Sequence, residues 1–368
     1  MRKFFKQIHI WLSIPFGVVM SIICFTGAIL VFERDITESV QREYYFVDET
    51  MSTTVAVSRV IASVEPMLGE GQRITDITIS SDPERTWKVN LSQPKHAAIY
   101  VNQYTGEVIG TPERLSLFAV AFRLHRWLMD ERPAERDAIY WGKLIVGIST
   151  IMMVVVILSG VVIWVPKSRA MWKNRSKIAV TKGWRRFMYD LHAAGGIYAT
   201  LLLLAMALTG LTWSFPWYRE GFYRLFSADS VTPTQQAMPS RANDVEQRCL
   251  SYDVWYDAYR SVTAHYEDYV DATISDGAIS VKLGGLGNSR AADKYEFDTT
   301  NGEIISSEPY VDQSSRSKVG GWIYSVHVGS FGGMVVRIMW ALAALLGATL
   351  PITGYYLWIK RKFCKSNK

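Results

Sequence analysis

The chain reads as an α-helical membrane protein with four transmembrane helices in two parallel repeats, plus two external α+β domains. Three observations carry this: four long apolar spans, basic residues confined to one set of connections, and the same landmarks recurring in both halves. Hydrophobic residues make up 49% of the 368, yet the mean hydropathy is only +0.06, so apolar blocks must alternate with charged ones.

Residues 1–33 hold a basic N-terminus and the first helix, apolar from 10 to 32. The Met-Arg-Lys start resembles a secretory signal, but the run far exceeds an h-region of about 7–15 residues and no small-x-small site closes it. A retained helix is therefore expected. Residues 34–138 form the first external domain, with a helix at 54–68 and alternating strands at 74–80, 86–92 and 97–103. The second helix, 139–165, leads into a basic loop, 166–191, and the third helix, 192–217. Residues 218–333 form the second external domain: a helix at 245–266, then strands near 270–275, 278–283 and 293–298, with Asp276-Gly277 as a hairpin turn. The fourth helix, 334–359, ends in a basic tail, 360–368. Each span reaches the roughly 20 residues that cross a bilayer, and none has Asp, Glu, Lys or Arg in its central segment.

Charge sets the orientation. The N-terminus, the 166–191 loop and the tail carry sixteen basic residues against one acid, Asp190. The positive-inside rule places these three in the cytoplasm and both external domains, where acids outnumber bases, on the opposite side of the membrane. The net +6 is thus an average over two opposite faces, a mark of topology and not a nucleic-acid footprint. Cys24, Cys249 and Cys364 fall in three compartments, so no intrachain disulfide is expected.

The halves repeat. His9 precedes Thr26-Gly27 by seventeen residues, and His192 precedes Thr209-Gly210 by the same interval. The second and fourth spans end alike, at Ser159-Gly160 with Trp164 and at Thr353-Gly354 with Trp358. The external segments share a turn, Tyr104-Thr105-Gly106-Glu107 and Thr300-Asn301-Gly302-Glu303. Two copies in the same orientation imply a pseudo-two-fold axis along the membrane normal.

Four of the six histidines occupy matching places in the copies: His9 and His192 before the outgoing helices, His125 and His327 before the returning ones. A lone histidine at a membrane boundary is ordinarily an interfacial residue. A symmetric set of four is not, because an imidazole near hydrocarbon is costly unless paired or ligated. The axis would bring His9 to His192 and His125 to His327, and two axial imidazoles saturate a haem iron. Arg123, Arg126 and Arg337 stand near the outer pair, and Lys6, Arg185 and Arg186 near the inner one, as propionate partners. Gly17, Gly195, Gly196, Gly329, Gly332 and Gly333 are candidates for admitting a flat macrocycle. His96 and His265 lie outside the pattern and read as ordinary residues, and Trp127, Trp141, Trp184, Trp322 and Trp340 as an aromatic belt.

The repeated unit, with His before a span ending Thr-Gly, a helix-plus-strands domain closing on a Thr-Gly-Glu turn, and a returning helix ending Gly-x-x-x-Trp, resembles the PepSY-associated transmembrane family over essentially the whole chain. The resemblance implies two periplasmic PepSY-like domains and His9, His125, His192 and His327 as ligands of two b-type haems. It further implies electron transfer to a periplasmic ferric chelate or siderophore in iron acquisition. Some members of the family carry a fused flavin or nicotinamide reductase domain. No Gly-x-Gly-x-x-Gly follows a strand here, so the donor is expected to be a quinol or a separate reductase. Three alternatives stand beside this: a cofactor-free PepSY protein that binds peptide or regulates a protease, a siderophore or metal transporter, and copper in place of haem. Against the transporter, no span carries an interior acid, and Pro15, Pro216 and Pro351 are expected near helix ends.

Overall fold

The computed structural model describes residues 1–94, 97–135, 138–166, 168–226, 245–285 and 287–363. His96, Lys167, Cys364 and the last residues of the basic tail lie outside them. Helix α1 (Arg2–Leu30) is followed by two short helices, α2 (Glu33–Val40) and α3 (Arg42–Tyr45). Then come α4 (Val57–Val64), β1 (Ile74–Ser80), β2 (Trp87–Leu91), β3 (Ala98–Val101), β4 (Val108–Gly110), α5 (Ser116–Trp127) and α6 (Trp141–Trp164). The second half runs α7 (Arg169–Arg175), α8 (Trp184–Asp190), a π-turn at Leu191–Gly195, α9 (Gly196–Ser214), α10 (Pro216–Phe226) and α11 (Val245–Thr263). It closes with β5 (Asp271–Ser275), β6 (Ala278–Lys282), β7 (Ala292–Phe297), β8 (Ile304–Glu308), α12 (Ser315–Val328) and α13 (Gly333–Phe363). These elements divide into two compact units, one of residues 1–33, 115–225 and 323–368, the other of 34–114 and 226–322.

In the first unit four helices are long and apolar enough to cross a membrane: Arg2–Leu30, Trp141–Trp164, Trp184–Ser214 and Ser330–Phe363. This is a multi-pass membrane protein. Helix α1 packs between α13 and α6, and α9 packs between the same two, so α1 and α9 lie on a diagonal. Small residues allow close approach where lipid offers no hydrophobic drive. Gly17 leaves room for Tyr355, whose hydroxyl donates to the Ile14 carbonyl at 2.6 Å, and Ser21 donates to the Ala348 carbonyl at 2.9 Å. Gly347 faces Leu203 and Cys24 in the middle of the bundle.

The helices outrun the apolar spans, because hydropathy marks what sits in hydrocarbon while backbone hydrogen bonding continues into the polar flanks. Pro15 and Pro351 therefore fall inside α1 and α13, and only Pro216 begins a helix. Trp340 also departs from expectation. It is buried, and its indole N–H donates to the Val326 carbonyl at 2.7 Å, so it joins the packing and not an interfacial belt.

Helix α5 was not expected from the sequence, nor was α12. Both sit just before a membrane helix, and α5 packs along α1 and α6. Leu128 and Met129 adopt left-handed conformations (φ 52° and 67°) that end α5 and turn the chain into α6. The Asp130 carboxylate accepts the Gly142 N–H at 2.7 Å, capping α6.

The second unit has one eight-stranded antiparallel sheet in the order β4-β3-β2-β1-β5-β6-β7-β8. Two separate external domains of three strands each were expected. Each half instead supplies four strands, and β1 pairs with β5 across the middle, since leaving those two edges open would expose unpaired backbone groups. The fourth strand of each half escapes notice because it is short or mostly exposed, lacking the alternation that marks β1. The Thr-Gly turns join the last two strands of each half, and Gly106 and Gly302 have φ of 74° and 76°, where a side chain would be strained.

Helices α4 and α11 cover one face, burying Val57, Val60, Ile61 and Val64 with Trp255 and Tyr259 against Ile77, Ile79, Val89, Ile274 and Val281. Ile77 and Ile274 are paired residues of the central seam and both are fully buried. Ile77→Ala is expected to cost about 2–5 kcal/mol. Thermal unfolding of the detergent-solubilised protein checks this, a midpoint equal to that of the parent counting against a shared core.

Glu38 accepts hydrogen bonds from Arg34 and Arg85, each at 2.7 Å. Burial pushes its carboxyl up, but the bonds from Arg85 and Arg34 outweigh this and hold it below the ordinary carboxylate range. A depressed folded pKa stabilises the fold above the unfolded value of about 4.3, and that contribution is lost as pH falls through the folded value. Glu38→Gln is expected to flatten the acid limb of the unfolding midpoint below roughly pH 5. Parallel acid limbs in melts of the parent and variant would refute this.

Candidate functional site

Two histidine pairs lie inside the helical unit. His9 of α1 faces His192, the ring centroids 6.1 Å apart and the planes at 90°. His125 of α5 faces His327 of α12, again at 6.1 Å, with the planes at 59°. The first pair lies at the bundle end that holds the start of α1, with His192 in the π-turn before α9. A π-turn widens the helix by one residue and re-aims a side chain, and such turns are frequent at functional sites.

The same clamp holds each imidazole. His9 Nδ1 lies 3.0 Å from the Val156 carbonyl and 3.1 Å from Ser159 Oγ. His192 Nδ1 lies 3.0 Å from both the Leu350 carbonyl and Thr353 Oγ1. For His125 the partners are the Ile23 carbonyl at 2.9 Å and Thr26 Oγ1 at 3.4 Å. For His327 they are the Met206 carbonyl at 3.0 Å and Thr209 Oγ1 at 3.1 Å. A carbonyl only accepts, so Nδ1 carries the proton in all four rings and Nε2 keeps its lone pair. The hydroxyls donate to carbonyls of their own helices, for example Thr209 to Ala205 at 2.6 Å, which turns their oxygens toward the imidazoles as acceptors.

The residue after each hydroxyl is glycine. A Cβ built on Gly27 would lie 3.0 Å from His125 Cε1, and one on Gly210 3.1 Å from His327 Cε1. Gly160 and Gly354 stand in the same relation to His9 and His192, at 3.3 Å. These four glycines, and not those next to the histidines in sequence, make room for the rings. Gly17 faces Tyr355, Gly195 and Gly196 face leucines, Gly329 faces Trp340, Gly332 faces Val336, and Gly333 meets nothing within 4 Å. The signal was present in the sequence as four Ser/Thr-Gly dipeptides, one per histidine, seen as marks of repetition but not as contacts.

A family model of the PepSY-associated TM region matches residues 6–361. The chain belongs to the PepSY-associated TM family. No curated protein matches it. In this PepSY-associated TM protein the matched region takes in all four clamped histidines and their Ser/Thr-Gly partners.

The two pairs are closer than opposite edges of a hydrocarbon layer. Ile23, which holds His125, lies fourteen residues after His9, and Met206, which holds His327, lies fourteen after His192. About 20 Å of helix thus separates the levels, against about 30 Å for the hydrocarbon core. The reason is α5 and α12, which carry the second pair alongside the membrane helices.

Of the flanking cations, Arg123 Nη2 lies 3.3 Å from the Met129 carbonyl and 3.6 Å from Glu131, and Arg337 donates to the Val31 carbonyl at 2.6 Å. Arg126, the residue after His125, rests on the faces of Phe122 and Trp127, at 5.5 and 5.3 Å. At the first pair Arg186 is bound to buried Asp190 at 2.8 Å, while Lys6 and Arg185 are exposed. His265 is exposed and its Nδ1 lies 2.8 Å from the Ser261 carbonyl, so it takes no part. Among the described residues no group of three or more His, Cys, Asp or Glu is arranged to hold a metal. Among the described residues each pair therefore offers two imidazole nitrogens and no third ligand from His, Cys, Asp or Glu.

Proposed function

We propose that the protein is a dihaem electron carrier of the bacterial inner membrane that reduces ferric chelates, including ferric siderophores, on the periplasmic face during iron acquisition. One observation carries the reading: two pairs of imidazoles with Nδ1 committed to the backbone, Nε2 free of hydrogen bonds among the described residues, and centroids 6.1 Å apart. Two metal–nitrogen bonds of about 2 Å and two ring radii of about 1 Å add to about 6 Å, the span of a metal held between two imidazoles. Among the described His, Cys, Asp and Glu residues a bare copper or zinc ion would find two ligands at either pair, whereas a macrocycle brings its own four. A b-type haem held by His9 and His192, and another by His125 and His327, would supply one-electron iron chemistry.

The chain's own part is to hold and tune. The carbonyl clamp fixes ring tautomer and orientation and raises ligand basicity. Arg126 supplies a positive charge for propionates at the second pair, while Arg123 and Arg337 serve the backbone around it. Between the levels Leu203, Met153 and Leu346 pack in one apolar cluster, which reaches Cys24 and Met206 at the level of the second pair. Under the positive-inside rule the first pair lies on the cytoplasmic side, where a quinol or separate reductase donates.

An air-oxidised minus dithionite-reduced visible spectrum of the purified protein, with a pyridine haemochrome count, tests the reading. Two b-type haems per chain are expected. A protein that stays colourless after expression with added haem sinks it and favours a peptide-binding or protease-regulating role. A finer prediction concerns the clamp: Thr209→Val keeps the Met206 carbonyl bond, so both haems stay, but retention of the second weakens about tenfold. Haem transfer to apomyoglobin measures this, and an unchanged rate would remove Thr209 from the clamp.

A further inference from the structure

Three segments converge at the end of the helical unit that holds the second histidine pair. The Trp127 ring, at the end of α5, stacks on Tyr140 at 6.0 Å, and the Trp127 carbonyl packs against Gly142 at the start of α6. Ser214 and Phe215, where α9 gives way to α10, pack on Gly147 of α6, so the first turn of α10 lies beside the same helix end. These contacts, with the Asp130 carboxylate on the Gly142 N–H, bring the segments that carry Arg126, Arg132 and Arg219 to the helix end that carries Lys143.

Among the described residues none of these four side chains forms an ion pair, and Arg132 and Arg219 are exposed. The nearby acids among the described residues have other tasks. Asp130 caps the Gly142 and Glu131 N–H groups at 2.7 and 2.9 Å, Glu131 lies 3.6 Å from Arg123, Glu220 lies 3.6 Å from Arg224, and Glu135 is exposed. A rim of one sign beside low-dielectric walls concentrates anions and raises their association rates by about 10- to 1000-fold.

We propose that Arg132, Lys143 and Arg219 dock an anionic ferric chelate, of the carboxylate or catecholate class, next to the second histidine pair, with Arg126 carrying the positive field inward. The inference rests on the dihaem reading and names the substrate class for it. In the step itself one electron leaves the reduced protein and converts chelated Fe(III) to Fe(II). No bond to the chelate is made, and its hard oxygens hold the ferrous ion less tightly. Cationic chelates are disfavoured by the same rim.

Two measurements on the detergent-purified holoprotein test this. Titration with gallium(III) citrate, which is redox-inert, reads binding alone, and stopped-flow reoxidation of the dithionite-reduced protein reads transfer to ferric citrate or to a cationic ferric hydroxamate. The Arg132→Glu/Arg219→Glu variant is expected to lose about tenfold or more in gallium citrate affinity and in ferric citrate rate, with a flattened salt dependence. Its rate with the cationic chelate should hold or rise, and Arg132→Lys/Arg219→Lys should behave as the parent. Equal losses with both chelates, no gallium citrate binding by the parent, or an effect confined to binding phosphatidylglycerol vesicles would overturn the proposal. Should the protein carry no haem, the dihaem reading fails, and the gallium titration still judges the docking site.

Discussion

A His327→Ala protein is expected to purify with one b-type haem per chain instead of two. The His327 imidazole is held by the Met206 carbonyl and Thr209 and faces His125 6.1 Å away, so its removal would leave one imidazole to hold a haem where the pair offers two. The first pair, about 20 Å distant along α9, shares no ligand with the second and should keep its haem. The pyridine haemochrome count reads this directly. External imidazole, small enough for the vacated space, should restore part of the lost absorbance. His265→Ala should leave the count at two, because that ring is exposed and caps its own helix. A count of two in the His327 variant would mean that the second pair does not hold the cofactor.

Gly210→Leu is expected to empty the second site as completely as removal of the ligand. A Cβ at Gly210 already lies 3.1 Å from His327 Cε1, tighter than ordinary contact, so alanine demands a small shift of the ring. The further carbons of leucine need the space the imidazole occupies, and the ring must leave the Met206 carbonyl to admit them. The expected series is two haems for the parent, two with a displaced reduction potential for Gly210→Ala, and one for Gly210→Leu. Gly195→Ala is the contrast, since its Cβ would meet Leu191 and Leu346 at an ordinary 3.6 Å and both haems should remain. Thermal unfolding separates loss of the site from loss of the fold, and loss of both haems together with a collapsed midpoint would assign Gly210 to helix packing alone.

Much of this arrangement is written locally. Apolar runs of more than 20 residues mark membrane helices, alternation marks β1 and its neighbours, and Asp276-Gly277 marks a hairpin, because hydropathy and side-chain period act over a few residues. Four histidines at matching positions were likewise visible. Helices α5 and α12 were hidden, since 116–127 and 315–328 are short, mixed in polarity and too close to long apolar spans to stand out.

What remained outside reach is contact between distant positions. His125 meets Ile23, Thr26 and Gly27 about a hundred residues away, and His9 meets Val156, Ser159 and Gly160 nearly a hundred and fifty away. No local preference encodes those distances. The composition and order of the residues were enough for a four-span membrane protein with strand-rich external segments and four singular histidines. The packing of α1, α6, α9 and α13 chose which carbonyl accepts from which Nδ1–H and which glycine admits which ring. In the other unit, the need to satisfy two strand edges joined the halves into one sheet. Both outcomes depend on backbone groups that every residue carries alike, which is why sequence alone is silent about them.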